Sequence, residues 1–260
     1  MKLSLYDLRL FKENGYLIKR NVLDEVLMAK ARERLWNFLP KGRSPQKPES
    51  LIGPFSHEEE NRSRPNEIYN FRINYRTIGH EPWMVRLLAT DPKVWNMAEQ
   101  MLGKGNVEEP DRIRGIYCTL PFGNHPKPPL TCHVDGHPFH LGVVGYIDDV
   151  APTGGSFTVW PGSHKKFYHA FTSQYKHDRN EEYSLICEYY NGHQPVDCFG
   201  EAGDIVFWHH RLAHMASPNN TSNVRQAILY DFKKTDINQA ELDPPKEDMW
   251  QDWSSEFRNA

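Results

Sequence analysis

From about residue 110 onward the chain breaks into short runs rich in β-branched and aromatic residues, a texture that restricts its possible folds severely. The runs fall at 113–120, 141–147, 156–160, 204–208 and 225–232. Turn chemistry separates them at Pro121-Phe122-Gly123, Thr153-Gly154-Gly155, Pro161-Gly162-Ser163 and Ser217-Pro218-Asn219-Asn220. Helical signals come earlier and do not alternate with the runs. Residues 4–13 read as a short helix ended by Asn14-Gly15, and Tyr16-Leu17-Ile18 as a brief strand. Asp24 is placed to cap a second helix to about Phe38, with Leu27, Ala31, Leu35 and Phe38 on one face. Asp91-Pro92 opens a third, closed by Gly103. Helices first and strands after, without βαβ alternation, predict an antiparallel sandwich or barrel buttressed by N-terminal helices. Residues 41–65, rich in Pro, Ser, Gly and charge, read as a long loop, either a mobile lid or plain disorder.

At 260 residues the chain suits one large domain or at most two small ones. Hydrophobic content of 38% beside 25% charged residues describes a globular chain and excludes a disordered one. The net charge of −3 is spread without a basic stripe, so no nucleic-acid partner is expected. Apolar runs such as 141–147 are far too short to span a bilayer, so no membrane partner is expected either. The first residues lack the apolar stretch of a secretory signal. Cys118, Cys132, Cys187 and Cys198 show no CxxC pairing, which argues against a zinc ribbon or a disulfide framework and fits a reducing cytosol. A cytoplasmic protein is expected, with the glycosylation-type triplets at Asn61, Asn219 and Asn220 unmodified. The sequence is silent on oligomeric state.

Eight of the 13 histidines crowd into 133–169 and 209–214, which invites a metal without establishing one. The sharpest local feature is Thr131-Cys132-His133-Val134-Asp135-Gly136. In an extended chain His133 and Asp135 project the same way and Val134 the other, so an imidazole and a carboxylate can take adjacent corners around one ion. A third ligand must come from a distant strand, and 203–214 offers His209, His210 and His214. Two imidazoles and one carboxylate leave open coordination positions, which suits an iron(II) oxygenase better than a closed zinc site. Alone, His-x-Asp is a weak signal.

Its context is more specific. Asp148-Asp149 follows, then Gly154-Gly155, Pro161-Gly162-Ser163-His164-Lys165, Gly203-Asp204, Arg211-x-x-His214, and Arg225 eleven residues beyond His214 (225 − 214). In this ordered set the sequence closely resembles the phytanoyl-CoA dioxygenase family of iron(II)- and 2-oxoglutarate-dependent oxygenases, strongly over 114–232 and loosely before it. The resemblance implies a mainly β fold with flanking helices: a double-stranded β-helix (jelly-roll, cupin-like) core buttressed by N-terminal helices. One domain would span 1–260, with a helical part to about 105, the core at about 110–235 and a tail from 236. The resemblance also implies His133, Asp135 and His214 as iron ligands and catalytic centre, and Arg225 as partner of the distal carboxylate of 2-oxoglutarate. Fe(II), 2-oxoglutarate and O2 would serve to hydroxylate, or otherwise oxidise, an unactivated C–H bond of a small molecule, with succinate and CO2 formed.

Two departures stand out. Many relatives carry a serine two residues after the distal histidine that helps hold 2-oxoglutarate; here Ala216 takes that place, with Ser217 next. Thr119 and Tyr117, on the strand before the triad, are the candidate replacements. Relatives also often have a tryptophan near Val144. Because Asp135 is retained, and halogenating relatives usually lack that carboxylate, hydroxylation is favoured. His137, His140, His209 and His210 read as structural before pocket residues, His164 as a turn element, Arg211 as the partner of a carboxylate or carbonyl, and Arg72-Ile73-Asn74-Tyr75-Arg76 as a solvated charged face. Two other functions stay open: a cupin-type metal enzyme without 2-oxoglutarate, in which Arg225 has no carboxylate to bind, and a non-catalytic metal- or ligand-binding member of the fold. Substrate identity is not legible from the fold.

Overall fold

The computed structural model describes residues 1–37, 39–56, 59, 68–69 (backbone) and 71–260; Phe38, Asn61 and the end of the expected 41–65 loop lie outside the described residues. Capping decides where the first helices start. Ser4 accepts from the Asp7 N–H while the Asp7 carboxylate accepts from the Ser4 N–H, opening α1 (Leu5–Asn14), and Gly15 ends it at φ 79°. β1 (Tyr16–Lys19) follows directly. Asp24 accepts from the Leu27 N–H to start α2 (Glu25–Trp36), which buries Met28, Ala31 and Leu35. β2 (Ile68–Tyr69), β3 (Arg72–Tyr75) and α3 (Pro82–Leu87) come next, and Asp91 caps α4 (Pro92–Leu102) through the Lys93 and Val94 N–H groups. The rest of the chain gives β4 (Gly115–Thr119), β5 (Leu141–Tyr146), β6 (Phe157–Val159), α5 (Ser163–Phe167), α6 (Glu182–Asn191), β7 (Val196–Asp197), β8 (Ile205–His209), β9 (His214–Ala216), β10 (Arg225–Phe232), α7 (Ile237–Ala240) and α8 (Ser255–Arg258).

The strands form two antiparallel sheets, ordered β1-β8-β5-β10-β4-β3-β2 and β7-β6-β9. After β5 the chain passes to the small sheet and back twice, which is the jelly-roll path expected above. Alternation along the large sheet sends Val144, Tyr146, Val206, Trp208, Ala227 and Leu229 inward, where they meet Phe157 and Val159 of the small sheet. Their neighbours Val143, Ile205, Phe207 and Ile228 turn outward onto Met84, Val94, Met97 and Met101 of α3 and α4. Each such side chain contributes about 1.5–3 kcal/mol on burial. With both faces covered, these strands read as continuous apolar runs instead of alternating ones.

Two segments are tied down more firmly than their composition suggests. Leu51 and Phe55 are part of the core, and the Gly53 N–H donates to the Pro121 carbonyl at 2.8 Å, so the first part of the 41–65 stretch is packed. The C-terminal segment packs Trp253 and Phe257 on Phe11, with ring centroids 5.5 and 5.9 Å apart. All four cysteines are free. Among the described residues no helix is long and apolar enough to cross a membrane.

Four of the crowded histidines belong to the packing. His140 and His210 lie on either side of Tyr175, at 4.3 and 5.0 Å between centroids, and His209 lies 4.3 Å from His210 and 5.4 Å from His164. Burial pushes His140 down to about 3 and His164 to about 4, and holds His209 and His210 well below the ordinary histidine value. All four are therefore neutral when folded at neutral pH. As pH falls below about 6.5, the unfolded chain takes up protons that the folded chain refuses, so stability drops by up to about 1.4 kcal/mol per pH unit for each histidine. The unfolding free energy is expected to fall between pH 6.5 and 4, with a shallower slope in His164→Asn; a flat profile in this window would contradict the burial. A second expectation concerns Gly142, where an added Cβ would overlap the Trp208 indole. Gly142→Val should cost about 1–3 kcal/mol, read as a lower urea midpoint with the same slope.

Candidate metal centre

His133 lies in the segment between β4 and β5 and forms an antiparallel bridge with His214, the first residue of β9. The His133 N–H donates to the His214 carbonyl at 3.2 Å, and the His214 N–H to the His133 carbonyl at 2.9 Å. Directly opposed residues share a face, and the two rings lie 4.7 Å apart. Val134 turns the other way into a cluster with Tyr183, whose hydroxyl takes the Val134 N–H at 3.3 Å. Asp135 therefore returns to the side of the imidazoles. Its Oδ1 is 3.9 Å from His133 Nε2 and its Oδ2 is 3.6 Å from His214 Nε2. The three donor atoms lie within 4.8 Å of one another, which brings the sequence-derived triad together. His214 Nδ1 is 2.9 Å from the Leu212 carbonyl; a carbonyl can only accept, so Nδ1 donates there and Nε2 is the ring nitrogen on the Asp135 side.

The protonation states suit a cation. Burial, with His214 nearby, pushes His133 down to about 4, so it is neutral. Burial alone would raise Asp135, but the Arg114 guanidinium and then His214 hold it well below the usual carboxylate range. Two imidazoles and an anionic oxygen donor fit a divalent iron with positions left for other ligands. Arg114, immediately before β4, donates from Nη2 to Asp135 Oδ2 at 2.7 Å and forks Nε and Nη2 onto Asp231 at 2.5 and 2.7 Å. His137 Nε2 lies 2.7 Å from the same Asp231. Asp135, His137 and Asp231 form a second close group, but the Arg114 cation already serves its two carboxylates. Sequence reasoning missed Arg114 and Asp231. The signal for Asp231 was alternation along β10, which puts 225, 227, 229 and 231 on one face.

Arg225 opens β10 and is 3% exposed. It donates from Nε to the Gly155 carbonyl at 2.8 Å and from Nη1 to the Tyr117 carbonyl at 3.1 Å, and no described carboxylate pairs with it. Such a guanidinium suits an anionic cosubstrate. Thr119 sits opposite Arg225 in the β4–β10 ladder, and Arg72 opposite Thr119 in the β3–β4 ladder, so the three form one row. Asn74, Tyr117 and Ala227 form the next row. Burial raises the Tyr117 hydroxyl, and the charges of Arg114 and Arg76 offset part of that rise. The 72–76 segment is thus not the solvated face expected: Arg72 is half-buried and Asn74 buried, because β3 pairs in the large sheet. Ala216 shares the face of His214, whereas the Ser217 hydroxyl turns to the Ser156 carbonyl at 3.5 Å and does not replace the family serine. Of His137, His140, His209 and His210, His137 borders the cleft beside Asp135, as does His80. His164 binds the Lys12 carbonyl, and Arg211 gives Nη2 to the carbonyls of Ser173, Gln174 and Lys176.

No curated protein matches the chain. Among solved structures, the carbocyclase SnoK from nogalamycin biosynthesis, described as non-heme and alpha-ketoglutarate-dependent, is 20% identical with a TM-score of 0.60, over 96% of this chain and 95% of its own. EctD from S. alaskensis, with 2-oxoglutarate and 5-hydroxyectoine, is 19% identical with a TM-score of 0.59, over 94% and 79%. HygX from Streptomyces hygroscopicus, with nickel, 2-oxoglutarate and hygromycin B, is 14% identical with a TM-score of 0.54, over 94% and 98%. At these identities the likeness is one of fold. The family model for phytanoyl-CoA dioxygenase (PhyH) matches residues 11–227, well over half of the chain, and the chain therefore belongs to that family of iron(II)- and 2-oxoglutarate-dependent oxygenases.

Proposed function

We propose that the protein hydroxylates a small organic molecule, with His133, Asp135 and His214 as iron ligands and Arg225 as the seat of the distal carboxylate of 2-oxoglutarate. The reading rests above all on Arg225, a buried guanidinium without a described carboxylate partner, set on the inner face of the same barrel as the three donors. When bound, iron and 2-oxoglutarate supply the oxidising chemistry, with O2 consumed, succinate and CO2 released and a substrate C–H bond oxidised.

The side chains position and protect. Arg225 pairs with one end of the cosubstrate, and the planar fork of a guanidinium fixes the direction of a carboxylate as well as its place. Thr119, directly across the ladder, offers a hydroxyl to the same end, and Tyr117, one row nearer the donors, flanks the middle. With alanine at 216, Arg225 carries more of that recognition than it would beside a serine. Val144, Ala227 and Leu229 make the surrounding wall apolar, which keeps water from competing for the charges. Arg114 holds Asp135 ionised and fixes its rotation, so that the carboxylate meets the two imidazoles in one orientation. The occupants named for EctD and HygX, 2-oxoglutarate beside 5-hydroxyectoine or hygromycin B, support a cosubstrate and a small polar substrate sharing a cavity of this fold.

Anaerobic addition of Fe(II) and 2-oxoglutarate is expected to give a weak visible charge-transfer band. Its absence, together with no succinate formed in air, would defeat the proposal. Arg225→Ala should weaken 2-oxoglutarate binding by about 2–5 kcal/mol, roughly 30-fold or more, and leave iron binding nearly unchanged. Equal losses of both would give Arg225 another job. Arg114→Ala should lower metal affinity by roughly 10–100-fold in a Co(II) titration, with partial recovery in Arg114→Lys. An unchanged affinity would mean that the bond from Arg114 does not position Asp135.

A further inference from the structure

A cleft of about 820 Å3 opens beside Asp135, a size suited to a compact organic molecule. Its charges are mixed and close to balanced. Asp231 and Arg114, the more buried of them, lie next to the metal ligand. At the exposed lip stand Glu108, Glu109 and Asp111, with Arg76, Arg112 and Lys233 among them. None of the three lip acids forms an ion pair among the described residues.

Arg114 has a donor to spare. Its Nε and Nη2 are committed to Asp231 and Asp135, whereas Nη1 makes no bond among the described residues and is not among the buried unpaired atoms. An acceptor on Nη1 would be held by the same guanidinium that holds Asp135, and hence next to the metal. The lip acids, farther out, suit a cation.

The same wall disfavours other substrates. A long acyl chain laid over Asp231 and Arg114 would strip their remaining water and return no hydrogen bonds. The phosphates of a coenzyme A thioester would meet three carboxylates interleaved with three cations at the lip, which offers no concentrated positive charge to hold them.

We propose that the primary substrate is a compact zwitterion of amino-acid type, with its anionic group on Arg114 Nη1 and its cationic nitrogen toward Glu109 and Asp111, and that acyl-CoA thioesters are excluded. This rests on the oxygenase reading above and adds the substrate class. The test offers the iron-loaded protein 2-oxoglutarate and O2 with a panel of free amino acids and N-methylated betaines, or with a panel of acyl-CoA thioesters from short to long. At least one zwitterion should raise succinate formation about tenfold above the substrate-free rate, and no thioester should. The double variant Glu109→Lys, Asp111→Lys, at exposed positions, should lose most of that stimulation while its unfolding midpoint stays that of the wild type. Coupling to any thioester, no coupling across the whole zwitterion panel, or wild-type coupling in the double variant would each overturn the proposal. Failure of the oxygenase reading looks different, because the anaerobic charge-transfer band is then missing before any substrate is added.

Discussion

Two backbone hydrogen bonds between His133 and His214 fix the end of the barrel that carries the three donor groups. They join a segment that leaves the large sheet to the first residue of β9, and β9 is itself held by β6, where Val159 faces His214. Side chains alternate with a period of two, so a slip of one residue at this bridge would turn an imidazole out of the site and Val134 into it. The packing of Val134 beside Tyr183 opposes that slip, since it would expose a buried apolar side chain. The geometry of the donors is thus a consequence of strand register, and the metal site needs no unusual backbone of its own.

Around this bridge ionised and polar groups run in a chain, from Asp135 to Arg114 to Asp231 to the His137 ring. Removing so many charged groups from water is costly, and pairs of this kind often contribute little or nothing to stability. Elsewhere in the core the chain avoids the cost by keeping His140, His164, His209 and His210 neutral. Asp135 and Asp231 instead stay ionised in burial, each held by the Arg114 guanidinium. On the proposed reading this network serves the site, where a carboxylate is kept ionised and fixed in rotation despite burial.

What the sequence revealed and what it hid divide along the same physical line. The pair His133 and Asp135 was legible because alternation is local, whereas Arg225 came from the family resemblance, its spacing from His214 matching the connection between β9 and β10. The caps Ser4, Asp24 and Asp91 were legible for the same reason: each acts on N–H groups a few residues away. Arg114 was not legible, because its partners Asp135 and Asp231 come from two other segments and meet it only through the pairing of β4 with β10. The row of Arg72, Thr119 and Arg225 depends on two such pairings and was hidden for that reason, so Arg72 read as a solvated charge. The C-terminal segment looked like a tail because Trp253 and Phe257 show no periodic pattern; their partner, Phe11, is at the other end of the chain.

The row across Thr119 carries a further consequence. Arg72 and Arg225 flank one residue on neighbouring strands, and the positive charge of Arg72 adds to burial in lowering the pKa of Arg225. Like charges brought together inside a barrel repel more strongly than in water, since the screening is weaker. The backbone carbonyls on Arg225 offset part of this with partial charges, but a carbonyl does not neutralise a guanidinium. A bound dicarboxylate does, and it relieves both the desolvation and the repulsion. On the proposed reading, the folded protein holds Arg225 in a state that a cosubstrate anion stabilises, so recognition at this end of the cavity comes from charge already in place. At the other end Arg114 is neutralised within the protein. On that reading the two arginines divide the work: one is completed by the cosubstrate, the other keeps Asp135 in place before any substrate arrives.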